Sequence, residues 1–196
     1  SIHNGQKFDK TNFIDTMIKD GLWDAFNDYH MGVTAENVAS KWQITREAQD
    51  NFALLSQIKA EKAQKEGKFK NEIVPIDLKL KNSDNRFEVD EHPREGMTLD
   101  KLSKLKPSFK NDGTVTPGNS SGINDGAAAV VLMSHHESEK RNLAPLAKIV
   151  SWATCGVDPS LMGSGPIPAS KEALAKAGWK VSDLDLIESN EAFAAQ

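Results

Sequence analysis

The apolar residues of this 196-residue chain are distributed unevenly, and this distribution limits the folds open to it. Residues 1 to about 125 are polar, charged and irregular, residues 126–145 are small and apolar and then helical, and residues 146–196 alternate strand and helix patterns. Only 38% of all residues are hydrophobic, which is low for a domain that builds its own core. We therefore expect the polar region to be an excursion from a larger fold of the α/β class.

The composition argues against several classes of protein. The net charge is −4, from 24 basic and 28 acidic residues, so nucleic acid is not an expected partner. No apolar run reaches the roughly 18 residues of a membrane span, and the N-terminus lacks a secretory signal pattern. One cysteine excludes an intrachain disulfide framework. Residue 1 is not methionine and the last residues resemble an unfinished helix, so we expect an internal piece of a longer protein.

Two helices are predicted in the polar region. Thr34 is a suitable cap for a short helix over residues 35–42, and Thr45 for a longer one from Arg46 to about Glu66. Gly67 should end the second helix. Its apolar residues recur at three- and four-residue spacing and form one stripe, which consists of Ala48, Phe52, Leu55 and Ile58.

Strand patterns are weaker. Residues 73–80 alternate in hydrophobicity, but Pro75 restricts them to a sheet edge. Residues 147–154 are typical of a buried strand and residues 184–189 of another, after which a helix should begin at Asn190. Between them, residues 169–177 predict a helix that ends at Gly178.

Four segments carry residues suited to chemistry, and each has a purely structural alternative. His30 and Met31 stand before a helix and would suit the wall of a pocket for an acyl thioester, or else would simply begin the helix. The loop of residues 113–126 is rich in Gly, Ser and Asn, and its amides and hydroxyls could hold a polar ligand or could be an ordinary loop. It lacks the Gly-Lys-Ser/Thr of a phosphate-binding P-loop.

The other two segments lie near the C-terminus. Residues 162–168 form a Pro- and Gly-rich turn that could line a pocket with Met162, or could be a rigid loop. Asn190 follows a predicted strand, where α/β proteins place ligands; it could orient a water or donate to an oxyanion, or cap a helix. Cys155 has no histidine nearby in sequence, so we expect a buried structural cysteine. His135 and His136 lie in a surface-type helix, where we do not expect a metal.

Together, in order and spacing, these motifs resemble the thiolase family. The resemblance extends from residues 15–22 through His30-Met-Gly-Val-Thr-Ala-Glu-Asn37, Gly118-Asn-Ser-Ser-Gly-Ile-Asn-Asp-Gly-Ala127 and Gly163-Ser-Gly-Pro-Ile-Pro168 to Asn190-Glu-Ala-Phe193. The last motif is a hallmark of the family, and the His30–Met31 pair is typical of its short-chain, biosynthetic members. The resemblance implies a fold of two similar α/β/α/β/α halves with a long loop domain inserted in the first.

The resemblance also implies a domain division. Residues 1–124 correspond to the loop domain, which binds coenzyme A and carries at its start, over residues 1 to about 14, the tail of a tetramerisation loop. Residues 125–145 correspond to the end of the N-terminal half, and residues 146–196 to the start of the C-terminal half. The expected assembly is a cytoplasmic homotetramer.

The implied reaction is the reversible Claisen condensation of two acetyl-CoA to acetoacetyl-CoA and coenzyme A, with the coenzyme A thioester as substrate and no cofactor or metal. Asn190 is the one matching catalytic residue and would hold a water of the oxyanion hole. The residues that match contacts to coenzyme A or walls of the acyl pocket are Leu22, His30, Met31, Arg94, Phe109, Ser121, Met162, Ala192 and Phe193.

The nucleophilic cysteine, the catalytic histidine and the acid/base cysteine of the family have no match here, and Cys155 fits neither cysteine motif. We therefore expect the chain alone to be inactive and its full-length parent to be the enzyme. Two alternatives remain open: a degradative thiolase for longer 3-ketoacyl-CoA, and a non-catalytic module that binds coenzyme A.

Overall fold

The computed structural model describes residues 13–80 and 83–196 and contains five α-helices and four short strands within them. The helices are α1 (Met31–Lys41), α2 (Arg46–Lys65), α3 (Leu99–Ser103), α4 (His135–Lys140) and α5 (Pro166–Ala177). The strands are β1 (Trp23–Asp24), β2 (Tyr29–His30), β3 (Ile76–Leu80) and β4 (Ser83–Phe87). A π-helical turn covers Met17–Gly21, and 3₁₀ turns cover Pro159–Ser164 and Val181–Asp183. The predicted tetramerisation tail lies almost wholly outside the described residues.

Helix α1 begins earlier than predicted. Its N-cap is His30, whose ring nitrogen accepts a hydrogen bond from the Gly32 backbone N–H, so the predicted cap at Thr34 is wrong. The Thr34 hydroxyl is instead inside the first turn and donates to the Met31 carbonyl at 2.6 Å. An imidazole can cap in place of a hydroxyl because an unprotonated ring nitrogen is also an acceptor.

The predicted helix α2 is confirmed, from its cap to its end. The Thr45 hydroxyl accepts from the Ala48 N–H at 3.1 Å, which satisfies one of the free donors of the first turn. Gly67 follows the helix with φ of 68°, a left-handed conformation that glycine adopts without a steric cost. The Lys68 N–H then donates back to the Ala63 carbonyl at 3.0 Å, which completes the C-terminal cap.

The apolar stripe of α2 does not face the protein interior. Phe52, Leu55 and Ile58 are 46%, 50% and 50% exposed, whereas the buried side chains of the helix are Gln49, Asp50 and Ala53. The inner face of α2 is therefore largely polar, because it contacts a loop through hydrogen bonds rather than through apolar packing.

The short strands form two antiparallel pairs. β1 pairs with β2, with Trp23 opposite His30. β3 pairs with β4 from Ile76 opposite Phe87 to Leu80 opposite Ser83, so the predicted edge strand is confirmed as one arm of a hairpin. Pro75 precedes its first residue, a position where a missing N–H costs no ladder hydrogen bond.

The C-terminal region agrees with the sequence in helix α5, but not in the predicted strands or in the helix expected at Asn190. α5 ends at Gly178, which has φ of 69°, as predicted. The predicted strands at residues 147–154 and 184–189 are wrong, because both segments are without regular pairing and largely exposed. A strand requires a neighbour for its N–H and C=O groups, and the described residues offer these two segments none. No helix begins at Asn190, where a bend and a turn follow instead.

The small core lies where α1, α2 and α3 meet residues 113–119. It includes the buried apolar side chains of Leu102 and Val115, with Ala35, Val38 and Ala39 from α1. The Pro159–Ser164 turn packs against α1. Within the part of the chain that the structure describes, no helix has both the length and the hydropathy to cross a bilayer.

Candidate functional site

His30 lies at the junction of β2 and α1, and two backbone contacts and one side-chain hydrogen bond hold it there. Its backbone is extended and pairs with Trp23. The Met31 N–H donates to the Leu22 carbonyl at 2.8 Å, so the predicted residues Leu22, His30 and Met31 are joined through their backbone. The ring nitrogen Nδ1 accepts from the Gly32 N–H at 3.0 Å, which fixes the imidazole over the start of the helix.

An aromatic cluster, consisting of His30, Phe109 and Phe193, forms beside this junction. The rings of His30 and Phe109 are stacked, with centroids 4.8 Å apart and an angle of 24° between their planes. Phe193 meets Phe109 edge to face, at 6.2 Å and 81°. Both geometries are favourable for aromatic pairs. Three of the predicted pocket residues, separated by up to 163 positions in sequence, are thus brought together.

Gly32 gives Phe109 its place in the cluster. A Cβ atom at Gly32 would lie 2.2 Å from the nearest atom of the Phe109 ring, which no real contact allows. The ring therefore lies directly on the helix backbone. Only glycine permits this close approach.

The environment of His30 favours its neutral form. Burial lowers the pKa of His30 below its usual value, because a charged imidazole loses solvation there. Since Nδ1 accepts a hydrogen bond from a backbone N–H, the proton of the neutral ring lies on Nε2. The side chain can therefore offer a polar N–H donor beside two apolar rings.

The loop of residues 113–121 is held by the protein itself. The Glu36 carboxylate on α1 is buried and accepts from the N–H groups of Thr114 and Val115 and from the Thr114 hydroxyl. The Thr116 N–H donates to the Asn119 side chain at 2.7 Å. These amides are therefore not free for a ligand, and the interpretation of the whole loop as a ligand cradle is wrong for residues 114–116.

The end of this loop lies against the C-terminal segment. Ser120 forms an antiparallel bridge with Phe193. On either side of it, the Ser121 N–H donates to the Ala192 carbonyl and the Ala194 N–H donates to the Asn119 carbonyl, both at 2.9 Å. Ser121, Ala192 and Phe193 are thus joined by backbone hydrogen bonds, while the Ser121 side chain is exposed.

Met162 lies in the 3₁₀ turn beside α1. The Asn37 side chain on α1 donates to the Ser160 carbonyl at 3.1 Å and to the Tyr29 hydroxyl at 3.2 Å, which attaches the turn to the helix. Met162 itself is 46% exposed. The following Gly163 faces Val38 and Gln196, so the turn also approaches the last residue of the C-terminal segment.

Asn190 and Arg94 lie outside the cluster. Asn190 is exposed and precedes Glu191, whose carboxylate accepts from the Ser56 hydroxyl on α2 at 2.6 Å. Arg94 is also exposed, and its backbone N–H donates to the Gln57 side chain on α2 at 3.0 Å. α2 therefore contacts both segments through side chains on its surface.

Cys155 is exposed, so the prediction of a buried cysteine is wrong. The predicted strand before it would have buried it only if paired in a sheet. His135 is in α4, which is exposed as predicted, and its Nε2 lies 3.4 Å from the Glu139 carboxylate. In residues 13–80 and 83–196, no group of three or more His, Cys, Asp and Glu side chains is arranged to hold a metal.

Among the cavities formed by the described residues, two lie away from the aromatic cluster. The larger, of about 700 Å³, lies between the C-terminal half of α2 and residues 86–95 and includes Glu61, Phe69 and Arg86 in its lining. The other, of about 440 Å³, adjoins Glu36, Lys110 and Thr114. Neither has a predicted site residue in its lining.

Sequence reasoning missed Glu36, Gln49, Asp50 and Asn119, which are buried polar residues that hold the loop. Glu36 and Asp50 look like ordinary surface residues of polar helices, and Asn119 like one of many loop residues. The sequence gives one indication of them: in α1 and α2, polar residues lie three or four positions from small apolar residues. Asp50, for example, lies three positions before Ala53.

Comparison with known families matches almost the whole chain to two domains. Residues 1–136 match the family described as "Thiolase, N-terminal domain", and residues 143–196 match "Thiolase, C-terminal domain".

Curated relatives agree with this match. The acetyl-CoA acetyltransferase of Paracoccus denitrificans is 60% identical over 192 residues, which are 98% of this chain and 49% of that protein. The cytosolic acetyl-CoA acetyltransferase of Rattus norvegicus is 56% identical over 196 residues, 99% of this chain and 49% of that protein. The chain therefore spans about half the length of the curated relatives it matches.

Solved structures confirm the predicted α/β fold. The crystal structure of the Bacillus anthracis acetyl-CoA acetyltransferase matches with a TM-score of 0.86 and 46% identity, over 99% of this chain and 49% of that one. Human mitochondrial 3-ketoacyl-CoA thiolase matches with a TM-score of 0.86 and 44% identity, over 100% of this chain and 49% of that one. The fold is thus the same in relatives with either kind of name.

Proposed function

The chain belongs to the thiolase family, and on that premise we propose that it is part of an acetyl-CoA acetyltransferase. The full-length protein would condense two acetyl-CoA to acetoacetyl-CoA and coenzyme A, reversibly. The observation that carries this proposal is the 60% identity, over 98% of the chain, with a relative of that name. The His30–Met31 pair supports the short-chain reaction, because it matches the pair typical of biosynthetic members.

The chemistry proceeds by two acyl transfers. An enzyme thiolate attacks the carbonyl carbon of one acetyl-CoA, and the coenzyme A thiolate leaves. A base removes a proton from the methyl carbon of the second acetyl-CoA, the resulting enolate attacks the acetyl-enzyme, and the enzyme thiolate leaves. Both steps develop negative charge on a thioester oxygen. We assign the thiolate and the base to other parts of the full-length protein, so the 196 residues alone should be inactive.

The contribution of this chain would be binding and oxyanion stabilisation. We propose that Asn190 holds a water that donates to the thioester oxygen. The acyl and pantetheine groups would lie against the wall formed by Met31, Phe109, Met162, Ala192 and Phe193, near the Nε2–H of His30 and the Ser121 hydroxyl. Leu22 and Arg94 would contact the remainder of coenzyme A. The stacked rings of His30 and Phe109 support this assignment, because they give an apolar surface with one donor.

Substrate specificity is tested with the full-length protein that carries this sequence. Thiolysis of acetoacetyl-CoA and of a 16-carbon 3-ketoacyl-CoA is measured side by side. We expect a kcat/KM for acetoacetyl-CoA at least tenfold higher. A preference for the long chain would instead identify a degradative thiolase. Absence of both activities, with coenzyme A still bound in calorimetry and weakened by Ser121→Ala, would identify a binding module.

We further propose that the full-length protein is a cytoplasmic homotetramer that needs no metal or other cofactor. Size-exclusion chromatography with light scattering should give four subunits per particle, and cell fractionation should recover the protein in the cytosol. Activity should survive dialysis against EDTA. A dimer, a membrane or organelle fraction, or loss of activity with EDTA that zinc or magnesium restores would each contradict the corresponding statement.

A further inference from the structure

Two buried polar residues that are not among the predicted contact residues link α2 to the segment that carries Ser121. Asp50 is 1% exposed and Asn119 is 3% exposed. The Asn119 amide Nδ2 donates to Asp50 Oδ1 at 2.9 Å, across 69 positions of sequence. Burying polar groups of this kind costs free energy unless each group forms its hydrogen bonds. The hydrogen bond between Asp50 and Asn119 therefore requires a defined geometry.

Asp50 is fixed independently of the loop. Its second oxygen, Oδ2, accepts from Arg46 Nε at 2.7 Å, one helical turn earlier. The Arg46 guanidinium also donates to the carbonyls of Leu102 and Leu105, at 2.7 and 3.0 Å. The carboxylate is therefore held by a charged partner that α3 and its following turn hold in place.

Asn119 can satisfy its neighbours in only one orientation. Its Nδ2 donates both to Asp50 and to the Thr114 carbonyl, at 3.0 Å, and its Oδ1 accepts from the Thr116 N–H. A rotation of the Asn119 amide by 180° would place its oxygen against the Asp50 carboxylate. It would also place its NH2 group against the Thr116 N–H. Asp50 therefore fixes the orientation of the Asn119 side chain together with the Thr114 carbonyl and the Thr116 N–H.

The backbone of Asn119 transmits this position to the pocket. Its carbonyl accepts from the Ala194 N–H, and two residues later the Ser121 N–H donates to the Ala192 carbonyl. These two hydrogen bonds flank the bridge between Ser120 and Phe193, and the Phe193 ring lies against Phe109. A shift of Asn119 would therefore move both Ser121 and Phe193.

We propose that Asp50 and Asn119 are positioning residues for the thioester site. They hold residues 119–121 in register with residues 192–194, which sets the Ser121 hydroxyl and the Phe193 ring at the positions that the acyl-pantetheine group requires. Neither residue contacts the substrate. The proposal concerns the acetyl-CoA acetyltransferase site and rests on the function proposed above.

The test uses the full-length protein and the variant Asn119→Asp, which has almost the same shape. The new carboxylate faces Asp50 and has lost both N–H donors. We expect KM for acetoacetyl-CoA and the dissociation constant of coenzyme A, measured by calorimetry, to rise at least tenfold, while kcat falls less than threefold. The double variant Asp50→Asn with Asn119→Asp restores a donor and an acceptor between the two positions, with the same total charge. The double variant should reverse at least half of the change in the logarithm of KM and of the dissociation constant.

A role in stability alone predicts a different result. Thr45→Ala removes the cap of the same helix, outside the pair, and serves as the destabilising control. For each variant, the rise in KM is compared with the fall in melting temperature. The proposal is wrong if Thr45→Ala raises KM by as much per degree as Asn119→Asp does. It is also wrong if Asn119→Asp folds and keeps the wild-type KM. A double variant no better than the single one would also overturn it. If wild-type protein prefers long-chain substrates, the proposed function fails, but coenzyme A affinity still tests the pair.

Discussion

Glu36 Oε1 accepts a hydrogen bond at 2.9 Å from the backbone nitrogen of Val115, although 79 positions separate these residues in the chain. Val115 is fully buried, and its loop leads to Ser121 and the C-terminal segment. Glu36 is in the same helix that His30 caps. The two sides of the proposed pocket, His30 and the 113–121 loop, are therefore held together through one buried carboxylate.

The variant Glu36→Gln should destabilise the full-length protein. A carboxylate accepts from two backbone N–H groups and a hydroxyl here, whereas the amide would replace one acceptor by a donor. Hydrogen bonds to a charged group contribute roughly 1.5–3 kcal/mol, so we expect a loss in this range in urea unfolding. Glu72→Gln, at an exposed position, is the matched control and should change stability by less than about 0.5 kcal/mol. Equal stabilities of the two variants would contradict the anchoring role.

Gly32→Ala should weaken binding of the thioester. The added Cβ would overlap the Phe109 ring, which must move away and break its stack on His30. We expect KM for acetoacetyl-CoA to rise about tenfold, equivalent to about 1.4 kcal/mol. Gly156→Ala is the control, because its Cβ would meet no atom within 4 Å and it lies outside the predicted site motifs. In a Phe109→Ala background the cost of Gly32→Ala should largely vanish; if it stays the same, the ring is not the cause.

Thr45→Ala should lower stability without affecting the site. The Thr45 hydroxyl caps α2 by accepting from the Ala48 N–H, and loss of such a cap costs about 1 kcal/mol. Thermal unfolding of the full-length protein measures this loss. Thr45→Ser keeps the acceptor and should retain at least half of the stability. A fall with Thr45→Ser as large as with Thr45→Ala would show that the methyl group, rather than the cap, matters.

The sequence predicted those features that local rules determine. The caps and ends of α2 and α5 follow from Thr45, Gly67 and Gly178, whose effects extend over one helical turn. The resemblance to the thiolase family assigned His30, Phe109 and Phe193 to one binding site, and their rings do form a cluster. Asn190 and Arg94 remain predictions, since their proposed partner is a ligand.

Features that depend on distant partners were not predictable. Residues 147–154 have the composition of a buried strand, yet composition does not supply the neighbouring strand that pairing requires. The stripe of Phe52, Leu55 and Ile58 has helical spacing, but periodicity alone does not say which face is covered. The buried pair of Asp50 and Asn119 joins residues 69 positions apart, and no local pattern encodes such a contact.

His30 should make stability depend on pH in a defined direction. Because burial lowers its pKa, the unfolded chain binds more protons than the folded one between the folded pKa and about 6.5. The contribution of His30 to the stability of the fold is therefore complete above pH 6.5. It is lost as the pH falls toward the pKa of His30 in the folded protein. His30→Asn keeps a capping acceptor and cannot titrate, so the stability difference between wild type and variant should decrease on acidification. A difference that is constant from pH 7.5 to pH 5, or a histidine pKa above 6.5 by NMR, would contradict this.

Gln57→Leu should weaken the binding of the nucleotide part of coenzyme A alone. The Gln57 side chain accepts the Arg94 backbone N–H at 3.0 Å, and Glu61, one turn later, accepts the Gly96 N–H at 3.2 Å, so α2 holds the segment that carries Arg94. One hydrogen bond contributes about 0.5–1.5 kcal/mol, which corresponds to a rise in KM of roughly two- to twelvefold. We expect this rise with acetoacetyl-CoA and no change with acetoacetyl-pantetheine, which lacks the nucleotide. Equal effects on both substrates would show that Gln57 supports the pocket as a whole rather than Arg94.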